Sequence, residues 1–576
     1  MSNYNTPQQS DSNLDIELPY NFSITDGNLC YFDTEKERHT PLCPAIRVTH
    51  TVIDNADHKR CGKQLEFINY NNKKQHLFMP MELFAGDTKG LELALIPYFN
   101  YPANRKLKNK LAEYLTLCNP KNKITAIDST GWVFCGWVSS HKAFSTGTAI
   151  YCHNSNKQEY ISTVHNGIKL SQSGTIKDYQ DKIIKYLKGN PLLIGAFCIG
   201  LASPLLQPLG INENPIFLFA GSRGTGKTTA NRINLSIWGR FNDLAVTAGG
   251  TNIGIVSKMI QHSDFCYGIE EIQTFRTPQN LLNWLLKVRN QKDDIRANRK
   301  GEAQHIRTFR LCGLATGERS TAEIASQANE MLNGGAEIAI LNILANRKYG
   351  VFDELHGFTS KELAEYIESA TDSYYGELGI AWIKKMTEFC HDPKKVQEAK
   401  NNIRDLANWL ISQYSAPHDT VIRASKKFAF VGVIGMIGVN SGILGDYLTI
   451  EDIKQSITVL FSNWISQRGG VGEIEESQII DTLIENLERY YSKFEVLNVI
   501  DERVISDRWG YVDSSYYYLN MAGFKQIFKG FNHKKVIDIL ISKNILERGA
   551  DHATKQKKIN GSNSRYYWIR RNNLSN

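Results

Sequence analysis

Short apolar runs alternate with polar clusters along this chain, and the spacing of the runs changes from one region to the next. After a polar start, MSNYNTPQQSDSNLD, which predicts a disordered tail over residues 1–17, residues 18–166 hold short runs such as Ala45–Ile53 and Gln64–Ile68. Clusters of Asn, Asp, Gly and Lys separate these runs, as is typical of strands and turns. The pattern predicts a β-rich N-terminal domain, followed by a linker near residues 167–181.

The next region, residues 182–345, contains apolar runs that end in polar residues, which predicts an α/β core built from buried strands. Residues 190–210 carry no charge but include three prolines and a glutamine, which favours a buried helix over a membrane span. No membrane association is therefore expected.

Residues 346–470 change to helical spacing and predict a lid of five helices: Ser360–Ser369, Tyr375–Phe389, Pro393–Gln413, Lys427–Val439 and Ile450–Arg468. Residues 471–576 begin with a further helix and then read as helix, helix, strand, basic loop, strand. That order is typical of a winged helix, a fold that binds DNA or, alternatively, other proteins.

The stretch GSRGTGKT, residues 221–228, follows the apolar run Ile216–Ala220 and precedes a helical segment. This is the Walker A pattern, in which glycines let successive N–H groups face phosphate oxygens and the helix start adds its positive dipole end. Lys227 is expected to reach the β- and γ-phosphates of ATP, and Thr228 to hold Mg²⁺. The predicted nucleotide contacts are Gly221, Gly224, Thr225, Gly226, Lys227, Thr228 and Thr229.

A second apolar run, residues 265–269, ends in Glu270 and Glu271, which is the Walker B arrangement. The first acid is expected to organise Mg²⁺ through water, and Glu271 to polarise the attacking water. A third run, Phe309–Ala315, ends at Thr316, which suits contact with the γ-phosphate. This extra strand between the Walker strands favours an AAA+ ATPase over simple kinases and GTPases.

Residues 291–310 alternate around Gly301, which predicts a β-hairpin with Arg296, Arg299 and Lys300 at its tip. Such a hairpin is suited to touching a phosphate backbone inside the pore of a ring. A solvated surface hairpin is the alternative.

Positive charge is concentrated at the C-terminal end. Residues 521–576 hold twelve Lys and Arg against three Asp and Glu, while the whole chain has a formal charge of +8. This distribution favours a polyanionic partner over a merely solvated tail. The expected DNA contacts are Lys534 and Lys535 at a helix start, and Lys555, Lys557 and Lys558 on the wing.

Cysteine usage indicates the compartment. Ten cysteines occur without a C-x-x-C pair or zinc spacing, which predicts reduced thiols in a cytoplasmic protein.

These motifs together resemble the MCM-like AAA+ helicases of cassette chromosomes and related mobile elements, a family long described as a domain of unknown function. The resemblance runs from about residue 26 to residue 570. It rests on Gly131–Trp132, GSRGTGKTT, Trp238–Gly239, IRANRKG at 295–301, ATGE at 315–318, GVFDELHG at 350–357, YYG at 374–376 and the terminal RYYWI.

The resemblance implies a homohexameric, ATP-driven DNA helicase that helps a mobile element to replicate, with a primase or polymerase among its partners. It also implies nucleotide and Mg²⁺ binding by Lys227 and Thr228, Walker B roles for Glu270 and Glu271, and a sensor role for Thr316.

Two departures from the family pattern affect the expected site. Glu270 stands where Asp is usual, and Ala339 stands where relatives are expected to have an arginine. An arginine acting on a neighbouring subunit's ATP would then have to be Arg319 or Arg347. Arg423, placed before a predicted helix, suits either a second sensor or an ordinary salt bridge.

Two other functions remain open from sequence alone. One is an ATP-switched origin-binding initiator or helicase loader that does not unwind DNA, which Ala339 favours. The other is a DNA-stimulated ATPase of a defence system, although no nuclease pattern is present.

Overall fold

The computed structural model describes residues 18–54, 59–84, 88–99, 107–134, 142–153, 159–164, 167–294, 306–327, 338–471, 474–497, 505, 507–529, 531–550, 552–559 and 561–574. Within these ranges, no helix combines the length and apolar composition that crossing a bilayer requires.

Residues 22–162 form three sheets. Strands β1–β3 make one antiparallel sheet, β8–β10 make another, and the order β11-β7-β4-β5-β6 makes a mixed sheet. The elements are β1 Phe22–Thr25, β2 Asn28–Asp33, β3 Arg38–Pro44, β4 Ile46–Asp54, β5 Arg60–Ile68, β6 Lys74–Pro80, α1 Lys89–Leu95, α2 Lys108–Leu117, β7 Lys123–Ile127, β8 Gly131–Phe134, β9 Lys142–Ser145, β10 Ile150–Cys152 and β11 Glu159–Ser162.

The region expected to be a linker contains a helix, α3 (Ile176–Lys182), which begins after Thr175. The Thr175 side chain accepts from the Asp178 N–H, and the Asp178 carboxylate accepts from the Thr175 N–H, so a capping box defines the helix start.

A five-stranded parallel sheet follows in the order β13-β14-β15-β12-β16. Its elements are α3 Ile176–Lys182, α4 Pro191–Ala202, β12 Ile216–Ala220, α5 Lys227–Ser236, α6 Phe241–Leu244, β13 Val246–Thr247, α7 Asn252–Gln261, β14 Cys266–Glu270, α8 Pro278–Asn290, β15 Cys312–Gly317, α9 Thr321–Gln327 and β16 Ile340–Leu344. The strand that carries Thr316 therefore lies between the two Walker strands, as the sequence predicts.

The run IFLFA of β12 is apolar at every position because both faces of the strand are covered. Phe217 and Phe219 pack into the core on one side of the sheet, and Ile216 and Leu218 pack into the core on the other. Helix α4 lies in the first of these cores with all 12 residues buried, which confirms a buried helix within residues 190–210.

Five helices follow the sheet: α10 Ser360–Ser373, α11 Glu377–His391, α12 Pro393–Ile411, α13 Asp419–Asn440 and α14 Ile450–Gln467. Helix α13 begins eight residues earlier than expected, because His418 caps it by accepting from the Thr420 N–H. Arg423 consequently lies inside this helix, and its expected position before the helix is wrong.

The C-terminal residues form two short helices against a sheet in the order β17-β18-β19-β22-β20, with β21 paired to β22. The elements are α15 Ile474–Arg489, β17 Phe494–Val496, β18 Gly510–Val512, β19 Tyr516–Leu519, α16 Met521–Ile527, α17 His533–Ser542, β20 Leu546–Glu547, β21 Lys555–Ile559 and β22 Ser562–Arg570. The stretch expected to be a basic loop thus contains a strand, since Lys555–Ile559 pairs with Ser562–Tyr566 around Gly561.

Candidate functional site

The loop between β12 and α5 has the backbone geometry that phosphate binding needs. Gly224 and Gly226 have φ angles of 77° and 81°, which side chains disfavour. A Cβ on Gly226 would lie 2.6 Å from Cγ2 of Val351, so only glycine fits there. Helix α5 begins at Lys227, with its N-terminal dipole end at the loop.

Lys227 is held by the loop itself. Its Nζ donates to the carbonyl oxygens of Gly221 at 2.8 Å and Ser222 at 2.6 Å. Partial burial lowers the pKa of Lys227, while the carboxylates of Glu318, Glu270 and Glu271 oppose that shift. The ammonium group is therefore directed across the loop, beside three carboxylates.

Thr228 and Glu270 form the arrangement expected of a magnesium site. The Thr228 hydroxyl donates to Oε2 of Glu270 at 2.8 Å, and Nδ2 of Asn231 donates to Oε1 of the same carboxylate. Mg²⁺ prefers oxygen ligands and commonly takes one or two carboxylates together with substrate phosphates. These residues fit that ion, and no cluster of three His, Cys, Asp or Glu suited to a metal occurs in the described chain.

Asn231 is a site residue that the sequence analysis missed. It is fully buried on α5, one helical turn after Lys227, and also accepts from Nδ2 of Asn234. Its spacing from Lys227 was the available signal, because residues i and i+4 share a helix face.

Glu271 and Thr316 meet across neighbouring strands. Glu271 has a left-handed backbone, with φ of 56°, and its N–H donates to Oγ1 of buried Thr316 at 3.1 Å. Thr316 also pairs in register with Phe219 of β12. The structure thus brings Lys227, Thr228, Glu270, Glu271 and Thr316 together at one edge of the sheet.

Glu318 adds a further carboxylate to this edge. It accepts from Nε of Arg223, in the phosphate loop, at 2.6 Å, and its N–H donates to Oε1 of Gln273 at 3.2 Å. Its ion pair with Arg223 lowers the pKa of Glu318. In the sequence, Glu318 stands out only as the last residue of the ATGE motif, and the motif predicts no role for it.

The three candidate arginines lie in different surroundings. Arg319 is exposed at the end of β15, Arg347 makes a two-pronged ion pair with Asp353, and Arg423 pairs with Glu213 at 2.7 Å. Ala339 is buried just before β16.

The tip of the predicted hairpin, with Arg296, Arg299 and Lys300, lies outside the described residues, but its base is present. Lys292 and Thr308 form an antiparallel bridge, and the Asp293 N–H donates to the Arg307 carbonyl at 3.0 Å. Nη2 of Arg307 also contacts Oδ2 of buried Asp293 at 2.5 Å.

One buried amide joins this base to the strand that leads into the phosphate loop. Asn214, two residues before β12, donates to the Val288 carbonyl at 3.1 Å and accepts from the Leu311 N–H at 2.8 Å and from Nε2 of Gln291 at 3.2 Å. Both stems of the hairpin are therefore fixed to one side chain.

The Gly131–Trp132 motif contacts the same region from the N-terminal side. Fully buried Asp264 accepts from Nε and Nη2 of Arg310 at 2.7 and 2.6 Å, and from the Trp132 N–H at 3.2 Å. Burial raises the pKa of Asp264, and the guanidinium of Arg310 opposes that shift. The Trp132 indole donates to the Pro204 carbonyl.

The C-terminal lysines lie on two elements. Lys534 and Lys535 occupy the first turn of α17, where Asn532 accepts from both of their N–H groups. On β21, Nζ of Lys557 lies 3.8 Å from the Tyr518 ring centroid and 3.5 Å from Asp513, while Lys558 is exposed.

Comparisons with known proteins agree with this description. Residues 27–308 match the family described as domain of unknown function DUF927. The chain is similar in structure to a protein described as the active helicase Cch of SCCmec type IV, with a TM-score of 0.69 and 16% sequence identity over 96% of this chain and 97% of that one. No curated protein matches the chain in sequence.

A second solved structure, the apo C-terminal region (305–718) of NrS-1, has 12% identity over 72% of this chain and 91% of that chain, with a TM-score of 0.25, too weak to define a shared fold. The likeness to the SCCmec protein gives the chain a helicase-like α/β fold, and the expected resemblance to cassette-chromosome helicases is confirmed at the level of the fold.

Proposed function

We propose that this protein is an ATP-dependent DNA helicase or translocase that works as a homohexameric ring in the replication of a mobile element. The observation that carries the proposal is the convergence of Lys227, Thr228, Glu270, Glu271 and Thr316 at one sheet edge beside the phosphate loop. The likeness of nearly the whole fold to a helicase supports it.

Each residue at this edge has a chemical role in hydrolysis. Lys227 and the loop N–H groups bind the phosphates, and Glu271 accepts a proton from the water that attacks the γ-phosphorus. Thr316 orients Glu271 through the backbone N–H of that residue and faces the γ-phosphate. Thr228 and Glu270 would hold Mg²⁺, which would supply positive charge to neutralise the charge that develops on the phosphate oxygens.

The remaining regions have proposed roles in DNA handling. A β-rich N-terminal domain covers residues 18–166, an AAA+ core 182–345, a helical lid 346–470 and a winged helix 471–576. The hairpin carrying Arg296, Arg299 and Lys300 contacts a single strand in the pore, and Lys534, Lys535, Lys557 and Lys558 contact duplex DNA. A primase or polymerase is a suitable partner in the cytoplasm.

An ATP-switched initiator or loader without unwinding activity is the second candidate. Ala339 favours it, because the buried position before β16 carries no arginine to act on a neighbour's ATP. Strand displacement on a forked substrate separates the two functions.

ATP hydrolysis by the full chain, with and without single-stranded DNA, tests the proposal. We expect DNA to stimulate hydrolysis, and Lys227→Ala to abolish both hydrolysis and unwinding while leaving the fold intact. Lys384→Ala, an exposed lysine of α11, is the matched control and should keep wild-type rates. Unwinding that survives Lys227→Ala would contradict the proposal.

A further inference from the structure

A cavity of about 400 Å³ continues from the phosphate loop into the space between α5 and α10. Gly224 to Thr229 form one end of it, so phosphates bound in the loop would occupy that end. The lining beyond the loop includes Arg232, Tyr349, Phe352, Lys361, Glu365 and Glu368. A nucleotide anchored by its phosphates would therefore place its nucleoside part in this second half.

The wall formed by residues 349–352 is fixed against the loop. The Val351 N–H donates to the Thr225 carbonyl at 2.8 Å, and a Cβ on Gly350 would lie 2.4 Å from that carbonyl oxygen. Phe352 is buried, and its ring lies 3.4 Å from where a Cβ on Gly226 would be. This segment cannot retreat from the loop without breaking these contacts.

Tyr349 offers a flat ring at the rim of this wall. The residue is 39% exposed, and Nζ of Lys348 lies over one face of the ring, 5.0 Å from its centroid. Aromatic rings at such positions stack on nucleobases, because every base has a π-face.

Arg232 fixes the opposite wall. Its guanidinium contacts Glu368 at 2.5 Å and Asp372 at 3.0 Å, and it lies 4.5 Å from the Phe241 ring centroid. These contacts hold α10 beside α5 and set the width of the cavity.

Glu365 is the carboxylate on this wall best placed to accept from a ligand. Lys361, Glu365 and Glu368 share the face of α10 that lines the cavity, and Arg232 engages Glu368. Glu365 makes a solvated ion pair with Lys361 at 3.7 Å, a contact that contributes little and yields easily to a hydrogen bond.

We propose that this cavity selects ribonucleotides, with Tyr349 stacking on the base and Glu365 accepting a hydrogen bond from a ribose hydroxyl. The inference rests on the proposed function, because it assigns the nucleoside part of the same ATP. A deoxynucleotide that lacks the bonded hydroxyl leaves Glu365 without this partner and binds more weakly.

Calorimetric titration of the full chain with ADP, 2′-deoxy-ADP and 3′-deoxy-ADP tests the assignment without relying on hydrolysis. We expect ADP to bind roughly 10-fold more tightly than one of the deoxy analogues, the effect of a hydrogen bond to a charged group. Glu365→Ala should bring the three affinities within about 2-fold of each other by weakening ADP. Glu398→Ala, on the exposed face of α12, is the matched control and should keep the preference.

The aromatic contact has its own pair of variants. Tyr349→Ala should weaken ADP and both analogues alike, by about 10-fold, whereas Tyr349→Phe should retain the affinity because it keeps the ring. If wild-type protein binds ADP but Glu365→Ala leaves the discrimination unchanged, this inference is overturned and the proposed ATPase stands. If wild-type protein binds no ADP at all, the result contradicts the proposed function itself, on which this inference rests.

Discussion

Glu270 is one methylene longer than the aspartate usual at this position, and its carboxylate contacts two residues of α5. Its two carboxylate oxygens accept separately, one from the Thr228 hydroxyl and the other from Asn231. Buried Asn231 thus orients the longer side chain towards the loop, which keeps the other carboxylate oxygen, proposed to bind Mg²⁺, beside Thr228.

Glu270 and Glu271 should therefore give different defects when each is neutralised. We expect Glu271→Gln to retain ATP binding and to lower hydrolysis by about 100-fold or more, since this change removes the proposed general base. Glu270→Gln should instead lower the dependence of binding on Mg²⁺. Nucleotide titrations with and without Mg²⁺, combined with single-turnover hydrolysis, measure both effects, and identical defects would contradict the division of roles.

His262 makes the region before β14 sensitive to acid. It is buried, its Nδ1 lies 2.9 Å from the Cys266 carbonyl, and desolvation lowers its pKa to about 4. In the unfolded chain this imidazole takes up a proton near pH 6.5, whereas in the folded chain it stays neutral down to about pH 4. The free energy of unfolding therefore falls as the pH drops from about 6.5 towards 4.

Lowering the pH from 7 to 5 should reduce the free energy of unfolding by about 2 kcal/mol through His262 alone. His262→Gln removes the titration and should flatten the loss of thermal stability over that range. Melting curves of both proteins at the two pH values measure it, and an equally steep loss in the variant would show that other groups dominate.

At the scale of elements, the base of the predicted hairpin is held by several hydrogen bonds. Asp293, Arg307 and Asn214 fix its two stems to each other and to the strand entering the phosphate loop. Through Asn214, both stems therefore contact the segment that leads into the phosphate loop.

Replacing Arg296, Arg299 and Lys300 by Ala should uncouple the motor. We expect ATP hydrolysis to remain within about 2-fold of wild type while unwinding of a forked substrate is lost, because the variant removes the proposed contacts to DNA phosphates and leaves the two stems unchanged. Asp538→Ala, on α17, serves as a surface control. Normal unwinding in the triple variant would show that the hairpin does not contact the translocated strand.

The elements nearest the loop were predictable, because local patterns determine them. The strand Ile216–Ala220 has the predicted bounds, and helices α10, α11, α12 and α14 lie close to theirs. The errors came from short polar signals. The Thr175–Asp178 capping box begins a helix where the composition predicts a linker, and the pairing of Lys555–Ile559 with β22 depends on a partner strand.

The candidate site was predictable only where a motif contains its residues. The residues of Walker A, Walker B and β15 converge as the strand pattern implies. Asn214, Asp264 and the cavity wall around Tyr349 depend on contacts between distant parts of the chain. No local sequence pattern contains both partners of such a contact, so a single sequence does not predict it.

For the whole molecule, Asp264 joins the N-terminal sheets to the parallel sheet. The buried carboxylate bonds both Arg310 and the Trp132 N–H, and Trp132, Phe144, Phe265 and Trp238 form a continuous aromatic chain behind it.

Removing this carboxylate should destabilise both parts together. We expect Asp264→Ala to cost about 3–5 kcal/mol, since Arg310 loses the partner of its half-buried charge. The double variant Asp264→Ala/Arg310→Leu should recover part of that loss. Thermal melts of the wild type, Asp264→Ala and the double variant measure this coupling. A double variant that is less stable than Asp264→Ala would contradict it.

Gly131 limits how this chain can be recombined with its relatives. A side chain there would place its Cβ 2.3 Å from Oδ2 of Asp264, although the two residues lie far apart in the sequence. Consider a chimera in which the N-terminal part comes from a relative with a bulkier residue at this position. That side chain would clash with the buried Asp264 carboxylate of this chain. The glycine and the aspartate must therefore be inherited as a pair, and recombination with a related gene is least disruptive when the crossover leaves both residues on the same parental segment.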